Sequence, residues 1–191
     1  MLNKNIDRLV KLALLAAISL VLALWVPKFP VIPTVPFLEY DFADVPILIG
    51  TFMYGPVSGL VITAIVSLLQ AAFASSTGFI GAAMHFFATG AMVLVAGSIY
   101  KKFHTLKGAV VSLVLGAVTM TAVMIPLNCL LTPLFLGNMP YSEAQKVVWG
   151  LMPSIIAFNA IKAFGNSAIT FALYKTISKA LKKEFFATRN E

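Results

Sequence analysis

Apolar residues run along this chain in long, nearly unbroken windows separated by short clusters of proline, glycine and charge. Several windows approach the roughly twenty residues that a helix needs to cross about 30 Å of hydrocarbon at about 1.5 Å per residue. The first covers 9–26 and stops where Pro27, Pro30, Pro33 and Pro36 prevent a helix from continuing. A short window at 45–54 ends at Gly55-Pro56, and a third covers 57–74 before Ser75, Ser76, Thr77 and Gly78 interrupt. The fourth spans 81–100, the fifth 108–131 and the sixth 151–174; KKFHTLK separates the fourth from the fifth, and Pro133, Gly137, Pro140, Glu143 and Lys146 precede the sixth. The pattern predicts an all-α integral membrane protein of six transmembrane helices forming one domain over 1–191. A barrel would need ten-residue segments of alternating polarity, and the chain lacks them. The second window is too short to cross alone, so tilt, local thinning or flanking loop residues have to complete it.

Composition agrees: 60% of the 191 residues are hydrophobic and 11% charged, with mean hydropathy +0.93, far outside the soluble range. The net charge of +7 raises the question of nucleic acid, and its placement answers it. Eleven of fourteen Lys and Arg lie in three groups: Lys4, Arg8 and Lys11; Lys101, Lys102 and Lys107; Lys175, Lys179, Lys182, Lys183 and Arg189. With all three groups facing the cytoplasm, an even number of spans obeys the positive-inside rule and both termini lie inside. Glu39, Asp41, Asp44 and Glu143 then fall outside, the first three within an external loop from Lys28 to Asp44. The first window resembles a signal peptide in length but lacks a small-residue cleavage site, so it is expected to be retained. Cys129, the single cysteine, offers no disulfide and is expected to pack as a small hydrophobe.

Polar residues at membrane depth carry the candidate chemistry. Lys162 lies in the middle of the sixth window, where a lysine costs about 2.5–3.5 kcal/mol on insertion scales. Asn159 and Asn166 stand three residues before and four after it, so the three side chains share a helix face. Two amides and an ammonium suit a hydroxylated or carbonyl-bearing ligand. Pairing of Lys162 with an acid is the alternative, and no Asp or Glu lies within any window, which favours the ligand. Asn128, between Pro126 and Pro133, either contacts a ligand where the helix breaks or caps a helix end. His85, one turn before Thr89, either binds ligand, shuttles protons or bonds across helices. Ser67 and Gln70 share a face of the third window. His85 and His104 fall on different segments at different depths with no carboxylate beside them, so no metal site is expected.

The chain shows neither an inverted repeat nor a phosphate-binding GxxxxGK[ST] loop, so any ATP-driven work falls to another chain. In the first window Ala13 and Ala17 form a small-xxx-small pair, widened by Ala16 and Ser19, at which another helix can approach closely.

Four stretches carry a resemblance over nearly the whole chain: FLEYDFADVP at 37–46, FMYGPVSG at 52–59, LNCLLTPLFLG at 127–137 and IAFNAIKAFGNS at 156–167. They resemble the substrate-binding S-components of energy-coupling factor (ECF) vitamin transporters, and among them the riboflavin-specific members. The resemblance implies that Asn128, Asn159 and Lys162 contact riboflavin, with His85, Gln70, Glu39, Tyr40 and Asp41 around the same site. It implies that the loop around 37–42 closes over the flavin and that Ala13 and Ala17 dock on a membrane-embedded coupling subunit joined by two cytoplasmic ATPases. Riboflavin is then cargo, and no cofactor is implied. Riboflavin-specific relatives tend to carry a Lys-Asn pair where this chain has Ser67, and an Asn where it has His85.

A flavin is chemically reasonable: its ring system favours an aromatic-lined pocket, its hydroxyl chain needs a few placed partners, and fifteen Phe are available. Other readings are an S-component for FMN, a flavin analogue or a different vitamin; a membrane-embedded enzyme using His85 or Lys162; and a purely structural subunit.

Overall fold

The computed structural model describes residues 4–73, 78–136 and 139–187, with side chains described from Asn5 as far as Thr176 apart from Phe135. The expected outer loop at Ser75, Ser76 and Thr77, the turn at Gly137 and Arg189 lie outside the described residues, as do the side chains of Lys179, Lys182 and Lys183. Six helices account for nearly all of the described chain: α1 (Lys4–Leu24), α2 (Asp44–Tyr54), α3 (Pro56–Phe73), α4 (Gly78–Lys102), α5 (Leu106–Phe135) and α6 (Tyr141–Ala187). Of these, α3 to α6 include stretches long and apolar enough to cross a membrane. Helix α2, with 11 residues, is not, and α1 carries Lys4, Asp7, Arg8 and Lys11 in its first turns.

Helices α3, α4, α5 and α6 pack in sequence, α4 against both α3 and α5, and α5 against α6. Helix α2 wedges among α3, α4 and α6, and α1 covers α2 and α3. The α2–α3 turn needs Gly55, whose φ of +91° excludes most side chains, and Pro56 then starts α3 with a preset φ. The main core gathers Ile47, Leu48, Ile62, Val66, Met92 and Leu113, while Leu9, Val10, Leu14 and Ile18 of α1 point outward, as lipid-facing side chains do. Cys129 packs as a small hydrophobe, in a second cluster with Val35, Val148, Met152 and Ile155.

Three expectations are corrected. Helix α5 continues through Pro126 and Pro133 to Phe135, so Asn128 does not sit at a break. A proline in a helix removes one donor, and Thr132 and Thr121 hydroxyls bond within the helix around these positions. Helix α6 starts at Tyr141, turning the segment with Glu143 and Lys146 into helix, and it extends to Ala187 beyond the expected end at 174. The fold is also not purely helical: within the loop before α2, β1 (Phe29–Pro30) pairs antiparallel with β2 (Glu39–Tyr40), and the Phe29 ring stacks on Tyr40 at 5.6 Å.

Candidate binding site

The short α2 shapes the site. Eleven residues rise only about 16 Å, so the segment leading into α2 has to enter the bundle rather than stay above it. Tyr40, Asp41 and Asp44 consequently meet the polar face of α6. Lys162 Nζ donates to Asp41 Oδ2 at 2.8 Å, overturning the expectation that no acid reaches the lysine. Asp41 Oδ1 accepts from the Ala43 amide at 3.0 Å, and the Ala43 carbonyl accepts from Ser19 of α1 at 2.6 Å. The Tyr40 phenol donates to Asn166 Oδ1 at 2.9 Å and lies over Gly165, where an added Cβ would stand 2.6 Å from the phenol oxygen.

Beside this ion pair is a cavity of about 150 Å³. Met84, Ala88, Met120, Met124 and Phe158 form an apolar wall; Gln70, His85, Asn128, Asn159 and Lys162 face it from α3 to α6, with Glu39 and Asp41 of the loop. Seven of the eight expected ligand residues therefore line one chamber. The exception is Tyr40, which holds Asn166 behind the wall.

The two asparagines differ in what they leave open. Asn128 donates to the Met124 carbonyl at 2.8 Å and its Oδ1 accepts from Thr132 at 2.9 Å, both within α5. Asn159 donates to the Ile155 carbonyl at 2.8 Å, but its Oδ1 is buried with no partner. An unpaired buried acceptor costs about 1–3 kcal/mol, and Asn159 is one of the residues that line the chamber.

His85 is tied in on both sides, Nδ1 to Ser67 Oγ at 2.8 Å and Nε2 to Asp44 Oδ1 at 3.2 Å. Asp44, fully buried, was not expected to contribute, and the shortness of α2 was the available signal; Asn166, expected beside Asn159 and Lys162 on the ligand face, instead bonds Tyr40, the Asp41 carbonyl and Asp44 and is absent from the chamber lining. Ala13 and Ala17 are exposed on α1, whereas Ala16 and Ser19 are buried against the bundle. Among the described residues no group of three or more His, Cys, Asp or Glu is arranged to hold a metal ion.

Residues 7–174 match the family model for the substrate-specific component of ECF transporters. The riboflavin transporter RibU of Staphylococcus aureus (strain TCH60) is 33% identical over 92% of this chain and 93% of its own length. The riboflavin transporter FmnP of Bacillus subtilis (strain 168) is 32% identical over 83% of this chain and 85% of its own. The solved S component of a bacterial ECF transporter superposes with a TM-score of 0.81 at 30% identity, covering 94% of this chain and 99% of that one. The solved S-component for biotin from an ECF-type ABC transporter, 16% identical with a TM-score of 0.57, shares the fold, over 92% of this chain and 94% of that one.

Proposed function

Since the chain belongs to the substrate-specific components of ECF transporters, we propose that it is a multi-pass cell-membrane subunit that binds riboflavin and presents it to a coupling module for ATP-driven uptake. Relatives named as riboflavin transporters, matched over most of both chains, support that cargo. One observation carries the reading at the level of chemistry: Asn159, whose buried Oδ1 has no partner, and Lys162 line the same chamber. A donor from the ligand, a hydroxyl or the imide N–H of the flavin ring, completes the Asn159 acceptor, and Lys162 donates to a ring carbonyl or hydroxyl. Asn128 and Gln70 add polar contacts, His85, with both ring nitrogens engaged, borders the ligand, Glu39 and Asp41 close the loop side, and the methionines with Phe158 pack on the ring system. Ligands without matching groups leave buried polar atoms unpaired and are rejected on that account.

In this reading all six helices form one transmembrane domain with both termini cytoplasmic. Helix α2 completes its crossing through the loop residues that precede it. The exposed Ala13–Ala17 face of α1 meets the membrane-embedded coupling subunit, which two cytoplasmic ATPases serve. Riboflavin is the transported substrate, and the function needs neither cofactor nor nucleic acid.

The test is a titration of the purified, flavin-free protein in detergent with riboflavin, followed by flavin fluorescence. Saturable binding is expected, with weaker binding of unrelated vitamins in a small panel. Absence of riboflavin binding at micromolar concentrations overturns the cargo.

A further inference from the structure

One fully buried carboxylate takes no part in lining the chamber. Asp44, the first residue of α2, is shut off from solvent and accepts three hydrogen bonds from two other helices. Its Oδ1 takes Nε2 of His85 at 3.2 Å and the Thr89 hydroxyl at 2.8 Å, both from α4; its Oδ2 takes Nδ2 of Asn166 at 3.1 Å, from α6. The same Asn166 nitrogen donates to the Asp41 carbonyl at 3.1 Å, while Asn166 Oδ1 accepts from Tyr40. Two routes therefore lead from Asp44 to the chamber wall. The shorter ends on His85. The longer passes through Asn166 to the loop residues Tyr40 and Asp41, and Asp41 holds Lys162 at 2.8 Å.

We propose that Asp44 is a positioning residue for the vitamin site, the common acceptor that fixes His85 on one wall and the Tyr40–Asp41 loop segment on the other. This rests on the chamber being the riboflavin site. The chemistry requires an acceptor with two equivalent oxygens. An amide at 44 would keep one carbonyl oxygen and turn an NH2 group toward Asn166 Nδ2 or toward the His85 and Thr89 donors. The first orientation sets donor against donor in a buried site; the second forces the Thr89 hydroxyl to turn and His85 to present its other tautomer, so each loosens one route. Because both routes start from the same group, they are coupled. Losing Asp44 should abolish most of what a second change at His85 can do, as contacts in one hydrogen-bonded network do not add.

The experiment compares wild type, Asp44→Asn, His85→Gln and the double variant in detergent. It measures riboflavin affinity and dissociation rate by flavin fluorescence and the melting temperature of the empty protein. Loss of a hydrogen bond to a charged group is among the larger single losses, so Asp44→Asn should weaken binding by about tenfold or more. Dissociation should quicken, and the double variant should bind about as Asp44→Asn does. A melting temperature that falls while the folded fraction keeps wild-type affinity and off-rate overturns the proposal, and so does a double variant whose loss is the product of the two single losses. If Asp44→Asn does not fold, Tyr40→Phe opens the longer route at its loop end with the charge retained. It should speed dissociation several-fold, and an unchanged off-rate overturns the proposal. Failure of wild type to bind riboflavin would instead strike the functional reading.

Discussion

Lys162 Nζ stands 2.8 Å from Asp41 Oδ2, joining the middle of α6 to the loop that enters α2, with both side chains about nine-tenths buried. A buried ion pair contributes modestly as a pair, but removing one partner strands the other charge at a cost of about 3–5 kcal/mol. Lys162→Met should therefore lower the melting temperature markedly, and Asp41→Asn with Lys162→Met should recover much of it. Riboflavin binding should stay impaired in both, because the ammonium serves the ligand as well as the aspartate. Melting curves and titrations on the same samples separate the two effects; wild-type affinity in the double variant would show that the pair is purely structural.

Asn159 presents the opposite balance. Its unpaired Oδ1 burdens the empty protein, so Asn159→Leu should leave the empty protein as stable as wild type or more so. Affinity for riboflavin should fall by about tenfold, about 1.4 kcal/mol, as one hydrogen bond to the ligand disappears. A drop in stability with unchanged affinity would place the ligand elsewhere in the chamber.

The hydrophobic windows coincide with the helices, and in α3 to α6 the apolar stretches have the length and polarity that lipid imposes on a span. Ends were less legible: Pro133 reads as a stop, yet α5 reaches Phe135, and the polar stretch before residue 151 is helix from Tyr141. The insertion cost of Lys162 pointed to the polar face of α6, and spacing alone added Asn159, which lines the chamber, and Asn166, which bonds the loop residues instead. What spacing could not supply was depth. Counting Asp41 and Asp44 as external followed from their place in a proline-rich loop, whereas an 11-residue α2 draws both acids down to the lysine. The β1–β2 pair depends on contacts between loop residues nine and eleven apart, Pro30 with Glu39 and Phe29 with Tyr40, and leaves no periodic trace.

Close helix packing makes a separate prediction. A Cβ on Gly97 of α4 would lie 2.7 Å from Thr51 Cγ2 and 2.9 Å from the Pro56 backbone at the α2–α3 turn. Gly97→Val must push the turn away or bend α4, at a cost of about 1–3 kcal/mol. Gly150 in α6 has nothing within 4 Å of the corresponding position, so Gly150→Ala should gain about 0.5–1 kcal/mol of helix stability. Melting temperatures of the two variants should move in opposite directions, and a tolerated Gly97→Val would mean that the turn yields easily.

The α1 surface separates binding from coupling. Ala16, Ser19 and Ala23 are buried against the bundle, while Ala13 and Ala17 stay exposed among Val10, Leu14 and Val21. Without side chains of any bulk at 13 and 17, a partner helix can approach α1 to backbone distance. Ala17→Phe fills that stripe without touching the chamber. It should leave riboflavin affinity at the wild-type value, abolish co-purification with the coupling subunit and stop uptake of labelled riboflavin by cells. Ala16→Phe, on the buried face, should instead lower the melting temperature and reduce all three together. Undiminished uptake by Ala17→Phe would place the coupling contact on a different face of the bundle.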